Sequence, residues 1–172
     1  MLFRSVTWAA VTGATGYQVF RSGTTAAIGT VAAVLTFNDT TAAAGTSYTY
    51  TVKAIATTVA TSAASAGNTG YRNRAAPTNV QATDTDPAKV RVTWTATSGT
   101  PASTGYEVWR STGGEMTLIG SVSASTLLFD DTTIAQGVTG IYAVKAKYTL
   151  AGASPTTTVT TLQSVSTTGV RP

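Results

Sequence analysis

From residue 90 the chain alternates apolar and polar positions: Val90, Val92 and Trp94 are separated by Arg91 and Thr93. Tyr106 and Val108 alternate in the same way with Glu107 and Trp109, and Tyr50, Val52 and Ala54 with Thr51 and Lys53. A period of two is the mark of a strand with one buried face, because successive side chains point to opposite sides of the sheet. The alternating runs are short, and turn-forming stretches such as "TGATG", "SGTTAA", "AAAGTS", "TSGTPASTG" and "STGGE" lie between them. No segment holds a helical period for ten residues. Short strands with frequent turns predict an all-β sandwich.

The pattern is written twice. "VTW" at 6–8 returns at 92–94, "GYQVFRS" at 16–22 returns as "GYEVWRS" at 105–111, and "IG" at 28–29 returns at 119–120. "FNDTT" at 37–41 then matches "FDDTT" at 129–133, and "YTVKA" at 50–54 matches "YAVKA" at 142–146. The offset drifts from 86 to 92 residues, so the second copy carries a few extra loop residues, which surface turns tolerate. A duplicated framework explains this better than a duplicated catalytic motif. Each copy has room for about seven strands.

The order V-x-W, G-Y-x-V-[FW]-R-S, F-x-D-T-T and Y-x-V-K-A, met twice across nearly the whole chain, resembles the fibronectin type III domain in its bacterial and phage-associated form. The resemblance implies two tandem immunoglobulin-like sandwiches. It places Trp8, Trp94, Tyr17 and Tyr106 in the cores and makes Tyr48, in "GTSYTY", a tyrosine corner whose hydroxyl pins a loop to the backbone. The second copy has Gly140 at the place of Tyr48 and so lacks that corner. The first copy reaches Trp8 after seven residues, too few for the family's strand A, which "PTNVQAT" supplies in the second copy. The expected organisation is an incomplete sandwich at 1–70, a linker at 71–76, a sandwich at 77–163 and an extended tail at 164–172.

Composition narrows the chemistry. Of the 172 residues only 10% are charged, and threonine makes up about a fifth. Threonine suits a pleated surface. There is no cysteine, which removes disulfides, thiol nucleophiles and sulfur-bound metals. There is no histidine, which removes a Ser-His-Asp triad and imidazole ligands. The net charge is +4 with the eleven basic residues scattered, so a solvated surface is expected and no nucleic-acid partner. No apolar run of about twenty residues predicts membrane insertion, and "MLFRSVTW" does not read as a signal peptide.

Seven carboxylates remain. The first copy has one, Asp39, so it cannot by itself hold the acid pair of a glycosidase. Asp39 and Asp131 recur after an aromatic and before "TT" and read as turn-formers bonding their own backbone. Asp84 with Asp86, or Asp130 with Asp131, match no calcium loop. No catalytic, cofactor or metal residue is assigned. Phe20 and Trp109 fall out of phase with Val19 and Val108 and should face outward beside Lys53 and Lys145. This is either a cross-strand pair, the favoured reading, or a surface that stacks on sugars.

The expected role is a non-catalytic structural or interaction module of an extracellular bacterial or virion surface assembly. Its partners would be other protein subunits, in a homo-oligomer or larger assembly. A neighbour's tail, residues 163–172, could add a strand to the open edge of the first copy, or an upstream stretch of the same chain could fill it. The alternatives are an accessory fibronectin III region of a secreted polysaccharide-degrading enzyme and a weak carbohydrate-binding module with surface glycans as partners.

Overall fold

The alternating runs become strands and the turn clusters become the connections between them. The computed structural model describes residues 3–57 and 61–172, which form fourteen strands and, among the described residues, no helix. No helix is therefore long and apolar enough to cross a membrane. The chain divides into two units, Met1–Asn73 with Ala151–Pro155, and Arg74–Leu150 with Thr156–Pro172.

The second unit is the more complete. Its first sheet has β7 (Thr78–Ala82), β8 (Val90–Thr95) and β11 (Leu128–Asp131) in the order β11-β8-β7. Its second has β9 (Ser103–Ser111), β10 (Thr117–Ser123), β12 (Thr139–Thr149) and β13 (Thr158–Thr160) in the order β10-β9-β12-β13, with β14 (Thr167–Val170) also on β12. All pairings are antiparallel. The inward residues of the two sheets, among them Val90, Val92, Trp94, Tyr106, Val108, Tyr142, Val144 and Ala146, form one buried core. Val80 and Ala82 of β7 pack against it.

The first unit repeats this plan with two strands fewer among the described residues. β1 (Arg4–Thr7) pairs with β4 (Thr36–Asp39), and a four-stranded sheet runs β3-β2-β5-β6, from β2 (Gly16–Arg21), β3 (Gly29–Val31), β5 (Ser47–Ile55) and β6 (Asn68–Tyr71). The matching register pairs Arg4 with Asp39 and Val90 with Asp131. Thus β1 corresponds to β8, and the first unit has no counterpart of β7 among the described residues. The tilted aromatic pair Trp8–Tyr17 has ring centroids 5.3 Å apart, and Trp94–Tyr106 has 5.4 Å. Tyr17, Tyr106 and Trp94 are buried, but Trp8 is only half-buried. The expectation of Trp8 as a buried core anchor is corrected: the strand that covers Trp94 from one side has no equivalent here.

The repeated "IG" has a packing cause. A β-carbon on Gly29 would strike the ring of Phe37, and one on Gly120 the ring of Phe129. Glycine lets each ring lie flat against the neighbouring strand.

Two expected boundaries change. Residues 164–172 are not a free tail: β14 lies opposite Thr139–Tyr142 of β12, and the Gly137 amide donates to the Arg171 carbonyl. The main-chain groups of β12 needed partners along their whole length, and this segment supplies them. Val165, 88% exposed, does point to solvent. The linker at 71–76 is also shorter than expected, since Tyr71 ends β6 and Arg74 is 2% exposed. Arg74 donates to the carbonyls of Ser98 and Gly99 and lies over the Tyr148 ring. A guanidinium with several donors can be buried when carbonyls receive it.

Candidate functional site

The residues that could carry chemistry gather in two places in each unit, and both are built by the repeat. The first joins the two sheets. Asp39 ends β4, and Arg21 and Tyr50 stand opposite each other on β2 and β5 of the other sheet. Asp39 Oδ2 accepts from Arg21 at 2.8 Å and from the Tyr50 hydroxyl at 3.0 Å. Its Oδ1 accepts from the Thr41 amide and hydroxyl and from the Ala42 amide. Asp131 repeats the arrangement, with Arg110 at 2.6 Å, the Tyr142 hydroxyl at 2.9 Å, and the Thr133 amide and hydroxyl. Both carboxylates are 1% exposed.

Burial by itself raises the pKa of these carboxyls, but the hydrogen bonds from threonine, arginine and tyrosine outweigh it. Both Asp39 and Asp131 therefore sit below the usual carboxylate range. Burial and the neighbouring carboxylate push Tyr50 up to about 12, and Tyr142 is raised in the same way. A carboxylate held ionised by a cation and several neutral donors is not poised to deliver a proton at neutral pH. The arrangement fastens one sheet to the other. Asp39 and Asp131 do bond their own following backbone, as the sequence reading expects.

Asp130 is also engaged. It accepts a bidentate pair from Arg91 and a bond from Lys89 at 2.9 Å, and these cations hold its carboxyl well below the usual range. Asp86 accepts from the Ala88 amide. Among the described residues no group of three or more acidic side chains converges as a metal would require.

The second place is the outer face of the β2–β5 and β9–β12 pairs. Lys53 lies over the Phe20 ring at 5.1 Å and Lys145 over the Trp109 ring at 4.0 Å. Trp109 is only half-buried while Tyr106 and Val108 on the same strand are buried, so the outward phase is as expected. Each ring has an ammonium on one face, the geometry of a cation–π pair.

Tyr48 is a correction. It is half-buried, under the Arg21 guanidinium at 4.7 Å and edge-on to Tyr50. The hydroxyl that ties strand to loop belongs to Tyr50, and in the second unit to Tyr142, two residues further along. The second unit therefore lacks nothing at Gly140. In the first unit a further tie comes from Tyr17, whose hydroxyl accepts from the Val11 amide at 2.9 Å.

Sequence reasoning missed the partners of the aspartates, although Arg21 and Arg110 close the repeated heptads. It also missed a set of hydroxyls along the last edge of each unit. The Ser62 amide donates to the Ala54 carbonyl while its Oγ accepts from the Ala54 amide, and Ser65 does the same with Val52. Thr161 with Ala146 and Ser164 with Val144 repeat this in the second unit. A hydroxyl two or three residues apart on an irregular edge keeps the long strand's amides satisfied where no regular strand lies.

No family model matches the chain. A chitinase A1 of Niallia circulans is 32% identical over 148 residues, which is 78% of this chain and 19% of that protein. The chain thus spans about a fifth of the length of that relative. Among solved structures, a Fn3-like protein from Clostridium thermocellum is 29% identical, covering 58% of this chain and 94% of its own, with a TM-score of 0.46. A two-domain fibronectin type III segment of chicken tenascin is 17% identical, covering 97% and 91%, with a TM-score of 0.48. The strand order of the second unit, its repetition in the first, and the motifs that both copies share lead to one conclusion: the chain is built as two fibronectin type III-like β-sandwiches in tandem.

Proposed function

We propose that the chain is a non-catalytic module that works outside the cell, as an accessory, spacing region of a polysaccharide-degrading protein. The observation that carries this reading is its 32% identity to a stretch amounting to 19% of a chitinase. The chemistry of the chain supports it. Asp39 and Asp131 are spent on ion pairs and turn amides and Asp130 on ion pairs with Lys89 and Arg91, so they fit a rigid framework and not a pair of carboxyls flanking a glycosidic bond. The lysines over Phe20 and Trp109 cover one face of each ring, which favours a framework pair over a sugar platform. The test is to incubate the whole chain with crystalline chitin and soluble chitin oligosaccharides. The expected result is neither turnover nor retention on the solid. Turnover lost in Asp130→Asn would overturn the non-catalytic reading, and retention lost in Trp109→Ala would replace the spacer with a sugar-binding module.

A second reading has its own observation. The edge of β1, which has β4 as its one strand partner among the described residues, favours a module that takes part in a surface assembly, bacterial or virion, through contact with another protein chain. Analytical ultracentrifugation of the chain with extracts of its native assembly, followed by crosslinking at Ser5, tests this. Crosslinks confined to other faces would count against it.

A further inference from the structure

The outer sheet faces of the two units share a geometry and differ in chemistry. Phe20 lies opposite Thr51 in the first unit, and Trp109 lies opposite Ala143 in the second. In the next row Gln18 is opposite Lys53, and Glu107 is opposite Lys145. The repeat also matches Ala27 with Leu118 and Thr49 with Ile141. A framework residue is kept in both copies, as Asp39 and Asp131 are. On this face the first copy has small and polar residues where the second has apolar ones and a carboxylate. Leu118 is 49% exposed and Ile141 40%, so their apolar surface is not spent on the core.

The register lays these residues out in rows across the sheet. Leu118 pairs with Trp109, and Trp109 with Ala143. Val165 continues the row at the last edge, between Ser164, which bonds Val144, and Thr167, which pairs with Tyr142. The next row runs through Glu107 and Lys145. Lys145 leans over the Trp109 ring, and Glu107 takes part in none of the ion pairs among the described residues. Such rows are complementary to themselves. A two-fold axis parallel to the strands and midway between β9 and β12 exchanges the ends of each row. Leu118 then meets Val165 of the second copy, Trp109 meets its Ala143, and Glu107 meets its Lys145. Sheets that pack face to face keep their strands within about 30° of each other, so the match holds near the axis.

We infer that the outer face of the β10-β9-β12 sheet joins two copies of this chain through their second units. Burial of Leu118, Ile141 and Val165 drives the association, and the two Glu107–Lys145 contacts fix its register. Four strands about 4.8 Å apart and about eight residues long give a face of roughly 19 by 26 Å. That is at the small end of specific interfaces, so the dimer is weak and reversible. The first unit, with Gln18, Ala27, Thr49 and Thr51 in these places, takes no part. The inference stands apart from the accessory reading, because no sugar enters it.

Sedimentation velocity of the full chain from about 10 μM to about 1 mM tests this, since small interfaces dissociate in that range. The expected result is a mass that rises from monomer to dimer with concentration. Leu118→Ala combined with Ile141→Thr gives the second unit the residues of the first at two exposed positions, and should weaken the dimer about tenfold or more. Glu107→Lys and Lys145→Glu should each weaken it too, because like charges then meet across the axis. An equimolar mixture of these two variants should dimerise more tightly than either alone, since both contacts become attractive again. A change in the fold of either variant cannot produce that rescue. A parent chain that stays monomeric throughout overturns the inference, and so does a dimer indifferent to Leu118→Ala with Ile141→Thr. A mixture no tighter than its components refutes the paired register and the interface with it. A monomer whose Trp109 indole signal moves only with chitin oligosaccharides would give the face to a sugar instead.

Discussion

Replacing Asp131 with alanine removes an acceptor that serves both sheets of the second domain at once. Arg110 loses its 2.6 Å partner, the Tyr142 hydroxyl its 2.9 Å partner, and the turn at Thr133 both of its bonds. Breaking a buried ion pair from one side costs about 3–5 kcal/mol, because the remaining partner stays buried and unpaired. Tyr142→Phe leaves the charge and its cation in place and should cost about 1–2 kcal/mol, a single hydrogen bond to an ionised group. The two changes share one acceptor, so the double variant should fall short of the sum by about 1 kcal/mol or more. Urea unfolding followed by fluorescence in a Trp8→Phe background reads the second domain through Trp94 and Trp109. With a denaturant slope of about 2 kcal/mol/M, Asp131→Ala should lower the midpoint by about 2 M. A shift under about 0.5 M, or strict additivity with Tyr142→Phe, would refute the view that this carboxylate is the shared fastening.

Other expectations follow from the same geometry. Trp94→Ala should cost about 3–5 kcal/mol, Trp8→Ala less because its ring is half-covered, and Trp109→Ala least. Melting temperatures in the opposite order would mean the strand faces are misassigned. Ser164→Ala leaves the buried Val144 amide without its acceptor and should cost about 1–3 kcal/mol, seen as faster hydrogen exchange at Val144. Asp39 and Asp131 have folded pKa values below the unfolded value near 3.8, so their stabilisation is complete above that value and fades as pH falls through the folded one. Tyr50 is raised, from 10.0 to about 12, so its contribution is complete below pH 10 and is lost as pH rises toward 12. Melting temperature against pH should therefore fall at both ends, and a Tyr50→Phe variant should lose part of the alkaline fall and, because the Tyr50 hydroxyl also helps lower the Asp39 carboxyl, a smaller part of the acid fall.

The sequence by itself determined the duplication, the all-β class and which side of most strands faces inward. Each of these is a local property: a period of two fixes the buried face of Tyr106 and Val108, and an aromatic-x-Asp-Thr-Thr run recurs in both copies. Only the tertiary structure decided where the polar groups go. Arg21, Asp39 and Tyr50 are far apart along the chain and come from opposing sheets, so no spacing reveals that they share one buried site. The same holds for the chain's end: its few apolar residues read as an extended tail, yet the long β12 strand had amides to satisfy and pairs with it as β14. Arg4 makes the point most sharply. In sequence it is an ordinary basic residue near the start, and only the fold sets its guanidinium against Gly70 with a buried Nε that has no hydrogen-bond partner.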